Sequence, residues 1–156
     1  MIRRCLFCGL LLGICSTAFG QTVKDVSKPI RLNFGFPELQ VSNDFKFEDE
    51  NDNGIVEPGE GSLISFTLQN VGPYPAKNVT VFPRELNDIQ GLSLADSIVV
   101  GDLASGASKL VQVGIYTEDV LQRGNASLVF EIRENGTYVD ISVGYSVDTS
   151  DEVSRE

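Results

Sequence analysis

From Ser62 onward, apolar and polar residues alternate with a period of two, the pattern of strands that bury one face and wet the other. Ile64, Phe66 and Leu68 alternate with Ser65, Thr67 and Gln69. Asn70-Val71-Gly72-Pro73-Tyr74-Pro75 then breaks the strand, since proline has no N–H to give to a ladder. Val79 and Val81 alternate with Asn78 and Thr80 in a second short strand, expected to end near Pro83. Ser93 to Leu103 is apolar in patches with Ile98-Val99-Val100 as its strand core, and Gly101 to Ser108 reads as a turn-rich connection. Val111, Val113 and Ile115 then alternate with Gln112 and Gly114.

The strongest hairpin signal comes last. Ala126, Leu128, Phe130 and Ile132 form one inward set, and Val139, Ile141, Val143, Tyr145 and Val147 return it. Asn135-Gly136 between them supplies the positive φ angles of a tight primed turn, and Asp140, Ser142, Gly144 and Ser146 are expected to face outward. Such spacing, without a helical period, predicts an all-β fold: an Ig-like antiparallel β-sandwich of about seven strands. The sandwich is expected over residues 39–148, with an edge hairpin or a closed barrel as the structural alternative.

Flanking segments read differently. Met1-Ile2-Arg3-Arg4 is basic, Cys5 to Cys15 is apolar, and Ala18-Phe19-Gly20 places small residues where a signal peptidase reads. Residues 1–20 therefore read as a cleaved signal peptide, too short to span a bilayer, and no other apolar stretch is long enough to be a transmembrane segment. Export implies an extracellular, periplasmic or outer-surface location. Leu12-Gly13-Ile14-Cys15 competes as a lipoprotein signal, although Ile14 is bulky where a small residue is usual. Residues 21–38 read as an extended lead-in, in which Arg31 to Phe36 would add an edge strand, and residues 149–156 as an untethered acidic tail.

Chemistry concentrates in one place. Asp49-Glu50-Asn51-Asp52-Asn53-Gly54-Ile55-Val56-Glu57-Pro58-Gly59-Glu60 fits the calcium-loop pattern D-x-[DN]-x-[DN]-G-x5-E at every specified position. Calcium takes six to eight oxygens, and short side chains at alternate positions can all turn toward it. Asp49, Asn51 and Asn53 would supply side-chain oxygens, Gly54 the bend, Ile55 its carbonyl, Glu57 a direct or water-mediated contact, and Glu60 both carboxylate oxygens. The competing reading is a solvated Asn/Asp/Gly turn. Strand-like Asp44-Phe45-Lys46-Phe47-Glu48 precedes the loop and Pro58-Gly59 interrupts its end, so it is expected to join two strands rather than two helices.

Composition narrows the function. The chain carries a formal charge of −10 with 22 acidic and 12 basic residues; losing Arg3 and Arg4 with the signal leaves 10 basic residues and −12. Such a surface repels nucleic acid and anionic lipid. There is no His, and Cys5, Cys8 and Cys15 all leave with the signal, which excludes Ser-His-Asp, Cys-His and ordinary zinc sites. A hydrolase using paired acids survives that filter, but the acids cluster in one tight loop rather than across a cleft. No enzymatic activity is expected. Without Trp, a polysaccharide-binding surface would have to use Tyr116, Tyr138 or Tyr145. Tyr74, between two prolines, reads either as a partner anchor or as a ring packed on its own turn. Asn78-Val79-Thr80, Asn125-Ala126-Ser127 and Asn135-Gly136-Thr137 match the N-glycosylation acceptor, and Asp96-Ser97-Ile98 a weak O-glycosylation triplet.

A family pattern accompanies these features. Phe47-Glu48-Asp49 into Asn53-Gly54, then Pro58-Gly59-Glu60, Leu63 to Gly72, Ala76-Lys77-Asn78-Val79, Gly101-Asp102-Leu103 and Gly106-Ala107-Ser108, resembles the CARDB-like and related Ig-like modules of exported bacterial proteins, over roughly residues 39–147. The resemblance implies an adhesion or scaffolding unit, with Asp49, Asn51, Asn53, Glu57 and Glu60 as cation ligands and no catalytic residue. The expectation is a secreted, calcium-stabilised Ig-like module that meets a protein or polysaccharide at the bacterial cell surface. An envelope polysaccharide-binding module is the alternative.

Overall fold

The alternating apolar residues meet between two sheets. The structure is a computed structural model, described over residues 35–154; the expected signal peptide and the lead-in to residue 34 lie outside the described residues. Ten strands are present among them: β1 (Leu39–Val41), β2 (Lys46–Glu48), β3 (Ile55–Val56), β4 (Ser62–Asn70), β5 (Ala76–Glu85), β6 (Leu92–Leu94), β7 (Ile98–Leu103), β8 (Ser108–Thr117), β9 (Gly124–Glu134) and β10 (Thr137–Thr149). The first sheet has the order β1-β4-β8-β6, with β2 also on β4; the second is β3-β10-β9-β5-β7. Ile64, Phe66 and Leu68 of β4 face Leu128, Phe130 and Ile132 of β9 in one core, all 1 % exposed or less. This is the all-β, Ig-like sandwich expected from the pattern, with the Asn135-Gly136 turn at φ 47° and 74°.

Four particulars differ from the sequence reading. There are ten strands rather than about seven because β1, β2, β3 and β6 are only two or three residues long, too short to show a period. The sandwich is not wholly antiparallel: β3 runs parallel to β10, Ile55 opposite Asp148 and Val56 opposite Thr149. Pro83 does not end its strand. It sits within β5 opposite Phe130, beyond Val81, where pairing with β7 has stopped and no donor is needed on that side. Ser65, expected on the wet face, is buried, because longer Lys46 and Gln112 flank it in register on the two neighbouring strands.

The edge formed by β1 and β2 is one strand broken in the middle. Val41 pairs with Leu68 and Lys46 with Ser65, five steps along the edge against three along β4. Ser42 bridges the break: its N–H donates to the Thr67 carbonyl at 2.9 Å and its Oγ accepts the Thr67 N–H at 3.1 Å. The slack lets Phe45 turn inward, its ring 5.1 Å from Phe66 and 5.6 Å from Tyr145, so that one aromatic cluster joins the sheets.

Asn70 closes the opposite end. Fully buried, its Nδ2 donates to the carbonyls of Tyr74 (2.7 Å) and Leu103 (3.0 Å), while its Oδ1 accepts N–H groups from Glu38 (3.2 Å) and Gly72 (3.1 Å). One amide thus satisfies four backbone groups of three segments, which is the physical content of the Asn-x-Gly ending. The Tyr74 ring lies against Gly35, in the segment before β1 rather than on its own turn. We expect Asn70→Ala, which strands all four partners, to cost about 3 kcal/mol. In urea denaturation the midpoint should fall with the slope unchanged, whereas a midpoint within error of the parent would show that these contacts are replaceable.

Candidate functional site: an acidic loop that crosses between the sheets

Glu48 ends β2 in the first sheet and Ile55 begins β3 in the second, so the acidic loop passes from one sheet to the other at one end of the sandwich. The turn after Val56 then carries the chain back to β4. Six residues of loop make the crossing, and their side chains organise their own backbone. Asn51 Oδ1 accepts the Asn53 N–H at 3.0 Å, Asn53 Oδ1 the Ile55 N–H at 2.7 Å, and Asp49 Oδ2 the Gly54 N–H at 2.6 Å. Gly54, at φ 79°, takes the bend expected of it.

The two glutamates of the returning turn are buried at its base, Glu57 3 % and Glu60 8 % exposed. Glu60 accepts the backbone N–H of Glu50 (2.9 Å) on one oxygen and of Glu57 (3.1 Å) on the other, which fastens the loop's start to its end. A third backbone group, the N–H of Asn51, also acts on this carboxylate. Glu57 accepts Asn53 Nδ2 (2.8 Å) and Ser154 Oγ (2.5 Å) on one oxygen, and Asn51 Nδ2 (3.2 Å) and the Ser154 N–H (2.9 Å) on the other. Thr117 Oγ1, at the end of β8, lies 3.0 Å from the Glu57 carbonyl and 3.1 Å from that of Glu60. The loop is therefore held by β8 in the first sheet and by the segment after β10 in the second.

Electrostatics separate the two acids. Hydrogen bonds from the Ser154 hydroxyl and N–H, more than those from the asparagines, hold the Glu57 carboxyl below the ordinary range. Burial pushes the Glu60 carboxyl above it, against the pull of its backbone donors and with help from the charge of Asp49.

The six sequence-predicted positions come together in part. Asn51, Glu57 and Glu60 line an open pocket of about 320 Å³ with Glu50, Val153 and Ser154. Asn53 reaches it through its bond to Glu57, Asp49 is turned to Gly54, and Ile55 opens β3. Among the described residues, no three acidic side chains converge into a metal cluster on their own. The donor set is mixed, carboxylates interleaved with amides, oxygen types that a hard cation takes, with the Asn51 and Asn53 side chains turning Nδ2 to Glu57 and Oδ1 to the loop backbone. Ser62, inward on β4 two residues after Glu60 and 5 % exposed, has no hydrogen-bond partner for its Oγ among the described residues. Thr117 and Ser154 were not foreseen. Neither is legible, because their partners lie 60 and 97 residues away. The tail expected to be untethered is docked: Thr149 is buried, the Ser150 N–H meets the Val56 carbonyl at 2.9 Å, and Ser154 meets Glu57.

No protein-family model and no curated protein matches the chain. Solved structures do. The crystal structure of a CARDB domain from Pyrococcus furiosus, in complex with di-metal ions, superposes at a TM-score of 0.51 and 16 % identity, covering 74 % of this chain and 90 % of that one. The solution structure of the same domain gives 0.53 and 19 %, covering 75 % and 98 %. The chain has a CARDB-like fold. On this CARDB-like frame two of the tyrosines proposed for a glycan surface do not share a face: Tyr116 stands exposed on the first sheet and Tyr145 in the aromatic cluster between the sheets. Among the described residues no helix is long and apolar enough to cross a membrane.

The sign of the acid response follows from Glu57. A carboxyl depressed in the folded state contributes stability that is fully present above its unfolded pKa and lost as pH falls through its folded one. Glu60 has the opposite sign, its ionisation costing stability as pH rises from the ordinary glutamate range through its raised value. Without added cation, the gap in melting temperature between the parent and Glu57→Gln should therefore be largest at neutral pH and close below the ordinary glutamate range. A gap independent of pH would contradict the assignment.

Proposed function

We propose that the chain is an exported, non-enzymatic Ig-like module, stabilised by calcium at the Asp49–Glu60 loop, that serves interaction or scaffolding at the bacterial cell surface. The observation that carries the reading is that this loop, patterned as a calcium ligand set, is also the crossing between the two sheets. An ion held by Asp49, Asn51, Asn53, Glu60 and the Ile55 carbonyl, with Glu57 direct or through water, would bind only the folded chain. The di-metal complex of the Pyrococcus furiosus domain supports a metal-binding role for this kind of fold. Its role at the surface rests on the resemblance and on the leader-like residues 1–20, and its partner would be a protein or, as the second choice, a polysaccharide.

Linkage sets the size of the effect. A site of about 0.1 mM affinity in about 1 mM calcium contributes about 1.4 kcal/mol, a sizeable fraction of a small domain's stability. The melting midpoint should rise in millimolar calcium and return to its starting value with chelator, and Glu60→Gln should abolish the difference. Superimposable melts in calcium and chelator would remove the ion from the account and leave a CARDB-like module with an ordinary acidic turn.

A further inference from the structure

We propose that the segment after β10 is a strap that competes with the cation for Glu57, so that calcium binding releases it and strap docking weakens calcium binding. The inference rests on the calcium reading above. Glu57 has four acceptor sites, and all four are filled: Asn51 Nδ2, Asn53 Nδ2, the Ser154 N–H and the Ser154 Oγ. A carboxylate so saturated has no lone pair for an ion or for an ion's water. At least one donor has to leave when the cation arrives.

The donors differ in how easily they leave. Asn51 and Asn53 are pinned on their other side, each oxygen accepting a backbone N–H of the loop. Ser154 comes from a segment 97 residues distant that is lightly fastened. Between β10 and Ser154, the Ser150 N–H bonds the Val56 carbonyl, Asp151 faces Arg123 at 4.0 Å across an exposed pair, and Val153 is 60 % exposed. An exposed pair at that distance contributes little. Asp151 and Glu152 add negative charge to a segment that docks on an acidic loop, which weakens the docking. By reciprocity, whatever factor the strap takes from calcium affinity, calcium takes from strap docking.

The test is a calorimetric calcium titration of the whole chain, its Ser154→Ala variant, which loses the hydroxyl, and its Ser154→Pro variant, which loses the hydroxyl and the N–H together. Hydrogen exchange over residues 150–154 with and without millimolar calcium accompanies it. The strap predicts a rise in calcium affinity of about tenfold for Ser154→Pro, a smaller rise for Ser154→Ala, and faster exchange of the segment when calcium is added to the parent. Parent-like affinity in both variants with unchanged exchange would overturn the strap and leave the calcium reading standing. Weaker binding in Ser154→Ala with slower exchange would also overturn it, making Ser154 a ligand. No binding heat in the parent or either variant would sink both the strap and the calcium site.

Discussion

One constraint governs this molecule: six residues, none of them buried, must carry the chain from the first sheet to the second and hold their own bend. The sequence meets it with side-chain oxygens. Asp49, Asn51 and Asn53 each accept an N–H of the loop they belong to, and Glu60 accepts one from each end of it. Short acids and amides do here what a ladder does inside a sheet, fixing the backbone of a largely exposed loop. The same oxygens, gathered for that purpose, are those a hard cation would use. The proposed ligand role therefore falls on atoms that already hold the backbone, and the cation's proposed effect is to relieve the repulsion that the gathering creates.

The rest of the sandwich keeps the crossing in register. Phe45, Phe66, Phe130 and Tyr145 tie the sheets through ring contacts beneath it, and Asn70 fastens the far end. Between these points β4 runs the length of the first sheet and β10 the length of the second. The parallel pairing of β3 with β10 follows from the crossing itself: a chain that leaves β2 at this end enters the second sheet alongside β10, running the same way. Thr117 and Ser154 then reach the returning turn from the two sides.

Much of this was legible where periodicity was long. The alternation over Ile64–Leu68 and Ala126–Ile132 placed the core residues on the correct face, and Asn135-Gly136 placed the last hairpin. The pattern failed where strands were short, at β1, β2, β3 and β6, and at Ser65, where register neighbours rather than residue type decide burial. The acidic loop was visible as a ligand pattern, but its position between sheets was not, because β2 and β3 are too brief to announce which sheet they join. The docking of Ser154 depends on a contact across most of the chain, which no local pattern can show.

The central claim is that the loop oxygens hold a calcium ion as one set. The most direct measurement is an amide NMR titration with calcium, following the backbone N–H of Asn53, Gly54 and Ile55 and the side-chain amides of Asn51 and Asn53. The account predicts that these signals shift together and saturate on one isotherm while core amides such as Phe66 and Phe130 stay in place. Small, unsaturating shifts spread over the acidic surface, with the loop no more affected than the rest, would contradict it.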